Sequence, residues 1–302
     1  MKGMEILAVK SELEDGEWRE LRRGSIGSSD IAGVLGLSNW DTPMSIWYDK
    51  VEGKDEEQSI AAKVGLELEP LLASEIPGWI EKHEDATCEV RESPHVLVHP
   101  EYPFLTCNLD RIMTHSERGE GIAELKTASE FKRGEWEEDE LPDAYYAQVQ
   151  HQMAVTGYPW AYVAFLIGNR KFDMRFIPRN DDFIEMLIEK ARNFWEGFVI
   201  PKIPPAPIGK EPDAETLKLL YPGGDEEVLD LSHMSALRDK YKELKKQEKA
   251  VGNDIELIRQ QFQAKMGDHE LALVDGKKVT WKTVTRKEYV VEESTFRRFQ
   301  IY

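Results

Sequence analysis

Phe104-Leu105-Thr106-Cys107-Asn108-Leu109-Asp110 and Gly121-Ile122-Ala123-Glu124-Leu125-Lys126 are two short apolar runs, each ending in charge. The segment between them, Thr114 to Glu120, is polar and contains Gly119. The runs therefore read as neighbouring strands joined by a turn. Residues two apart in a strand share a face, so Glu124 and Lys126 project together and Asp110 can meet them from the adjacent strand. Two carboxylates and an ammonium at one point suit metal-assisted hydrolysis of a phosphodiester. The carboxylates hold a hard cation such as magnesium through oxygen, and the lysine orients or activates water and offsets developing charge. An exposed cross-strand ion pair is the plainer alternative. Charges at the ends of apolar strands favour the chemistry, because an unpaired charge there is costly.

Downstream, Pro142 to Gly157 has the periodicity of a helix, with Tyr146, Val149, Met153 and Thr156 as its apolar stripe. Gln148 and Gln152 lie four apart on a flanking face, one turn after Tyr145. Glutamine amides can donate to phosphate or to water near a metal, although Gln152 reads better as solvent-facing. Strands follow at 160–167 and 171–177. Upstream, Gly24, Ser25, Gly27, Ser28 and Ser29 precede the helical segment 31–35, as turn and N-cap residues do. A helix N-terminus there would favour anions, with Arg22 and Arg23 close by; an ordinary capped helix is the alternative. Glu67 and Glu69 fall in a helical stretch, 59–76, where a charged surface is the simple reading.

Four blocks resemble the phage lambda exonuclease and YqaJ-like viral recombinase family. They are the run from Trp18 to Ile31, Gly65-Leu66-Glu67-Leu68-Glu69-Pro70, Asp110 with Glu124-Leu125-Lys126, and Tyr145-Tyr146-Ala147-Gln148-Val149-Gln150. They occur in the family's order across roughly residues 18–200. The resemblance implies a restriction-endonuclease-like α/β (α+β) fold, a mixed sheet flanked by helices. It implies a two-metal, ATP-independent nuclease that digests linear double-stranded DNA from a 5′ end and leaves a 3′ single strand for an annealing protein. Asp110, Glu124 and the Leu125 carbonyl would bind Mg2+, with Mn2+ as a substitute, and Lys126 would serve the attacking water. Glu69 would complete the carboxylate set. Arg22, Ser29, Asn108 and Gln148 would line a pocket for a 5′-terminal phosphate. Asn108-Leu109 departs from the Ser-Pro that precedes the metal-binding Asp in the lambda protein. A structure-specific endonuclease on the same fold, or a non-catalytic DNA-binding or recombinase-loading module, are the alternatives.

Residues 1–205 make up the expected nuclease core, closed by a helix at 182–198. Residues 206–230, after the stiff Pro201–Pro207 segment, form a linker. Residues 231–302 add an extension: a long helix over 232–266, a hairpin around Asp275-Gly276 and a short helix. In the long helix Leu237, Tyr241, Leu244, Val251, Ile255, Ile258 and Phe262 follow heptad-like spacing when Glu248 is counted. Basic residues interleaved with Trp281 and Tyr289 make the extension either a single-strand contact or a solvated face.

Several chemistries are excluded. No G-x-x-x-x-G-K-[ST] loop is present, so ATP is not expected. Cys88 and Cys107 are the only cysteines, too few for a four-cysteine cluster. There is no long apolar run or export signal, so the expectation is a cytoplasmic protein of a phage-infected or prophage-bearing bacterium, without membrane contact. The net charge of −18 is unevenly spread. Residues 231–302 hold 15 Lys and Arg against 11 Asp and Glu, leaving 24 against 46 for residues 1–230. Such an acidic surface opposes loose binding to phosphates. A homo-oligomeric ring, a trimer by resemblance, with a basic channel around DNA would reconcile the two.

Overall fold

The structure is a computed structural model. It describes residues 5–53, 59–136, 141–168, 170–224, 227–287, 293, 297 and 299–301. They form two compact units, Met1–Leu220 and Tyr221–Tyr302.

The first unit is built on a five-stranded sheet in the order β2 (Cys88–Glu92), β5 (Arg111–His115), β6 (Gly119–Ala128), β7 (Trp160–Ile167), β8 (Lys171–Pro178). Only β6 and β7 run parallel, joined by a crossover that contains helix α5 (Asp143–Thr156). A smaller antiparallel sheet pairs β1 (Glu5–Val9), β3 (His95–Val98) and β4 (Thr106–Asn108). The expected mixed sheet flanked by helices is thus the fold of this unit.

The central strand β7 is a continuous apolar run because both its faces are covered. On one face Trp160, Tyr162, Ala164, Ala123 and Leu125 pack with Leu72, Ile76 and Ile80 of helix α4 (Ile60–Glu84). On the other, Ala161, Val163, Phe165 and Ile122 pack with Ala147, Val149 and Met153 of α5. Strand parity therefore assigns Glu124 and Lys126 to the α5 face. Helix α4 runs through Pro70 and Pro77, each of which lacks the N–H that would close a helical turn. Helix α5 ends where Gly157 takes φ +77° and its N–H returns to the Met153 carbonyl at 2.9 Å.

Three expectations are corrected. The partner of β6 is not the run ending at Asp110 but the following strand, β5, so the turn is confined to residues 116–118. The first run bends at Leu109-Asp110, and its strand, β4, belongs to the other sheet with β3. The helix containing Glu69 is longer than 59–76 and extends to Glu84. The linker expected over 206–230 is folded in its first part: helix α7 (Glu211–Leu220) lies inside the first unit. Asp213 Oδ2 accepts from the backbone N–H groups of Ile208, Gly209 and Lys210 at 2.6, 2.9 and 3.4 Å. That turn is held from within, which composition did not reveal.

The second unit contains helix α8 (Ser235–Met266) and the hairpin β9 (Leu271–Val274) and β10 (Lys277–Thr280). Asp275 and Gly276 both have positive φ, 50° and 78°, as a two-residue hairpin turn of this kind requires. The short helix expected near the end, with Tyr289 and Arg298, falls outside the described residues. Among the described residues no helix is long and apolar enough to cross a membrane.

Candidate active site

Register brings the two separated charges together. Arg111 of β5 is opposite Ala123 of β6, which places the preceding residue, Asp110, beside Glu124. Asp110 Oδ2 accepts from the Leu125 N–H at 2.8 Å, so a side chain continues the ladder where the strand ends. Glu124 is 2 % exposed and is surrounded by donors. Its Oε1 accepts from Lys126 Nζ and from Gln148 Nε2, each at 2.5 Å, and its Oε2 from Gln152 Nε2 at 2.7 Å. Lys126 Nζ also lies 5.4 Å from the centre of the Tyr145 ring, within cation–π reach.

Electrostatics follow from burial. Desolvation first, then the neighbouring Glu124 charge, pushes the Asp110 carboxyl up to about 8, against the opposing pull of Lys126 and the Leu125 N–H. Burial works against the Lys126 ammonium, yet Glu124 and Asp110 outweigh it and hold the pKa above the ordinary lysine value. Burial lowers that of Lys10, opposed by Asp110 and Glu69, while its Nζ donates to the Leu109 carbonyl at 3.1 Å.

Glu69 faces this site, unlike Glu67, but Arg111 holds it. Arg111 Nη1 is 3.5 Å from Glu69 Oε2 and donates to the Asp110 carbonyl at 2.6 Å. Among the described residues no three His, Cys, Asp or Glu side chains converge closely enough to hold a metal ion. Asp110 and Glu124 nevertheless have the chemistry of a hard-cation site. Glu124 is buried and Asp110 half-buried, and a bound cation would relieve the desolvation and mutual repulsion that raise the Asp110 pKa. Nearby, Asn108 Oδ1 and Gln152 Oε1 are buried acceptors with no hydrogen-bond partner.

The expected phosphate residues divide. Ser29 and Gln148 line one cavity of about 290 Å3 with Ala32, Ser38, Trp40, Asp41, Ala144 and Tyr145. Arg22 and Asn108 do not line it. Arg22, its side chain 48 % exposed, pairs with Asp30 at 3.5 Å; Asn108 sits on β4, where its carbonyl is 3.5 Å from Gln152 Nε2. The helix after Ser29, α2 (Ile31–Val34), is a single turn, and the anion at its start is Asp30 itself. Asp30 Oδ2 accepts from Lys50 Nζ at 2.6 Å and from the Gly27 N–H at 2.9 Å. Burial raises its pKa, but Lys50 and Arg22 prevail and hold it below the ordinary carboxylate value. The Asp30 side chain makes no cap bond to α2 itself, so its charge is spent on Lys50, Arg22 and the Gly27 N–H.

Gln152 is a second correction. Expected to face solvent, it is fully buried and binds Glu124. Lys10, Lys50 and Arg111 were not identified from sequence. Lys10 reaches the site, and Lys50 reaches Asp30, from elements distant in the chain where no local spacing marks them; Arg111 follows Asp110 directly, but its pairing with Glu69 is made only by the fold.

Residues 17–159 match the YqaJ-like viral recombinase domain. The uncharacterized protein YqaJ of Bacillus subtilis (strain 168) is 34 % identical over 321 residues, covering 99 % of this chain and 98 % of that protein. The chain belongs to the YqaJ-like viral recombinase family. Among solved structures, LHK-Exo in complex with dAMP is 20 % identical with a TM-score of 0.47, covering 68 % of this chain and 95 % of that one. LHK-Exo, an alkaline exonuclease from Laribacter hongkongensis, also matches at 18 % identity, with a TM-score of 0.44 and 68 % and 96 % covered. A phage-related exonuclease from Haemophilus somnus 129PT is 14 % identical with a TM-score of 0.38, covering 61 % of this chain and 99 % of that one.

Proposed function

We propose that this chain is a divalent-metal-dependent exonuclease that digests linear double-stranded DNA from the 5′ end and leaves 3′ single-stranded tails for recombination. The observation that carries this reading is the convergence of Asp110, Glu124 and Lys126 on one face at the end of β5 and along β6.

Asp110, Glu124 and the Leu125 carbonyl would hold Mg2+, and Glu69 would join them once released from Arg111. The bound ion would neutralise the phosphate and the leaving oxygen. Lys126 is held charged by the two carboxylates and donates to Glu124; in the reaction it would orient the attacking water. Gln152 and Gln148 fix the Glu124 carboxylate from two sides, so little reorganisation is required when charge develops. The uncatalysed reaction is so slow that such a site must supply on the order of 20 kcal/mol. Arg22 offers the planar fork that suits a terminal phosphate, and Ser29 and Gln148 offer further donors. A ring-shaped homotrimer and a single-strand annealing partner complete the proposal; a monomeric mass unchanged by DNA would overturn the ring.

The test is digestion of linear duplex labelled at the 5′ or the 3′ end, in magnesium or EDTA, by wild type and Lys126→Ala. Magnesium-dependent release of mononucleotides from the 5′ end, absent in the mutant, is expected. No cleavage by wild type with magnesium or manganese would leave the DNA-binding module as the reading.

A further inference from the structure

The cavity beside Glu124 contains groups that a phosphate does not need. One wall is Trp40, 55 % exposed; Tyr145 and the Asp41 carboxylate are also present. A fixed carboxylate repels phosphate but accepts hydrogen bonds from the amino and imino edges of bases. The exposed indole is also held in place. Ser38 Oγ accepts from the backbone N–H groups of Trp40 and Asp41, both at 3.0 Å. Lys210 Nζ donates to the carbonyls of Gly36 and Ser38 at 2.9 and 2.6 Å. Lys210 is in turn part of the turn tied by Asp213. A large aromatic presented to solvent on a loop pinned from 170 residues away along the chain is pre-organised for contact.

The position of the cavity identifies the ligand. Two of its lining residues touch the candidate catalytic set directly: Gln148 donates to Glu124 Oε1 at 2.5 Å, and the Tyr145 ring lies 5.4 Å from Lys126 Nζ. A nucleotide whose phosphate sits at Glu124 and Lys126 carries its own base to the immediate surroundings. We propose that this cavity is a nucleobase subsite, in which the base of the terminal nucleotide of the digested strand stacks on Trp40 and presents its polar edge to Asp41. The subsite rests on the nuclease reading of the adjacent carboxylates; the terminal phosphate would meet the Ser29 and Gln148 donors of the same cavity, while the base takes Trp40 and Asp41. Stacking on an aromatic tolerates every base, so the subsite would register the presence of a base rather than its identity.

The experiment compares duplexes with a normal or an abasic 5′-terminal nucleotide, and a duplex with 2-aminopurine at that position. Wild type should cleave the abasic end about tenfold less efficiently in kcat/KM, the equivalent of ~1.4 kcal/mol within the range of one stacked base. Trp40→Ala should treat both ends alike, Trp40→Phe should restore most of the preference, and Lys210→Met should weaken it from a distance. In EDTA, terminal 2-aminopurine should be quenched by wild type and remain bright with Trp40→Ala at equal DNA occupancy, measured by anisotropy. Equal abasic discrimination by wild type and Trp40→Ala, or equal fluorescence, would overturn the subsite. Cleavage by wild type that ignores the terminal base removes the subsite and leaves the nuclease reading intact. Quenching without any cleavage keeps the subsite and removes the nuclease.

Discussion

Gln152 Nε2 donates to Glu124 Oε2 at 2.7 Å, and both side chains are buried. A helix and a strand on opposite sides of one core layer are thereby tied at the residue on which the proposed chemistry depends. Replacing Gln152 by Leu removes a donor from a buried carboxylate and should cost about 1–3 kcal/mol of stability. It should also lower the cleavage rate at saturating DNA more than it raises KM. A rate unchanged in Gln152→Leu, measured on linear duplex in magnesium, would show that Glu124 needs no support from this side.

Lys126→Ala and Asp110→Ala should each abolish detectable cleavage while the folded state persists, judged by circular dichroism and a cooperative melt. Asp110→Ala also removes a ladder-like bond to Leu125, so Asp110→Asn serves as the gentler control. Activity retained in Lys126→Ala would remove this lysine from the proposed site.

Asp110 makes stability depend on pH in an unusual direction. Folded, its carboxyl is raised to about 8; unfolded, it titrates near 4. Between those values the native state binds the additional proton at Asp110, so the contribution of this carboxyl to the stability of metal-free protein, read as the difference from Asp110→Asn, should fall as pH rises from 4 to 8. Melting temperatures in EDTA across this range, for wild type and Asp110→Asn, provide the check: the mutant should lack the alkaline decline. Magnesium should remove it in wild type, because a cation takes the place of the proton.

His151 contributes at the acidic end with the opposite sign. Its ring is buried, donates from Nε2 to the Thr106 carbonyl at 3.0 Å, and leaves Nδ1 without a partner. Burial lowers its pKa to about 4, against about 6.5 unfolded. The unfolded state therefore binds the additional proton between these values, and stability should fall by about 3 kcal/mol as pH drops from 6.5 to 4. His151→Gln, which retains a donor, should flatten that decline in urea titrations.

Lys50→Met should destabilise the fold by about 3–5 kcal/mol, because it strands the Asp30 carboxylate in the core. The double mutant Lys50→Met, Asp30→Leu should recover part of the loss in the same unfolding assay.

Arg22→Ala should weaken digestion of 5′-phosphorylated ends and leave hydroxyl ends little changed. Equal loss on both ends would identify its pairing with Asp30 as structural alone.

What could be read from sequence followed parity and local spacing. Glu124 and Lys126 share a face because they are two apart in a strand, and nothing tertiary overrides that. The partner of β6 is not legible because the apolar run through Leu109 conceals a bend; only hydrogen-bond register shows that β4 leaves for another sheet. The buried place of Gln152 is not legible because amphipathic periodicity presumes one wet face. Residues Val149 to Val155 of α5 are all buried, so its polar side chains point into the protein. Lys10, Lys50 and Arg111 meet the Leu109 carbonyl, Asp30 and Glu69 only after folding, and a sequence has no local signal for such pairings.

Pro70 directly follows Glu69 and deprives the Leu66 carbonyl of its helical donor. The turn that carries this carboxylate is, with the one at Pro77, one of two mechanically soft points in a long rod, while the sheet beneath it is anchored by Leu72, Ile76 and Ile80 further along. In the proposed reaction, exchange of Glu69 between Arg111 and a cation at Asp110 would need only a local flexing of one turn, and the rest of the scaffold could remain at rest while the site is charged and discharged.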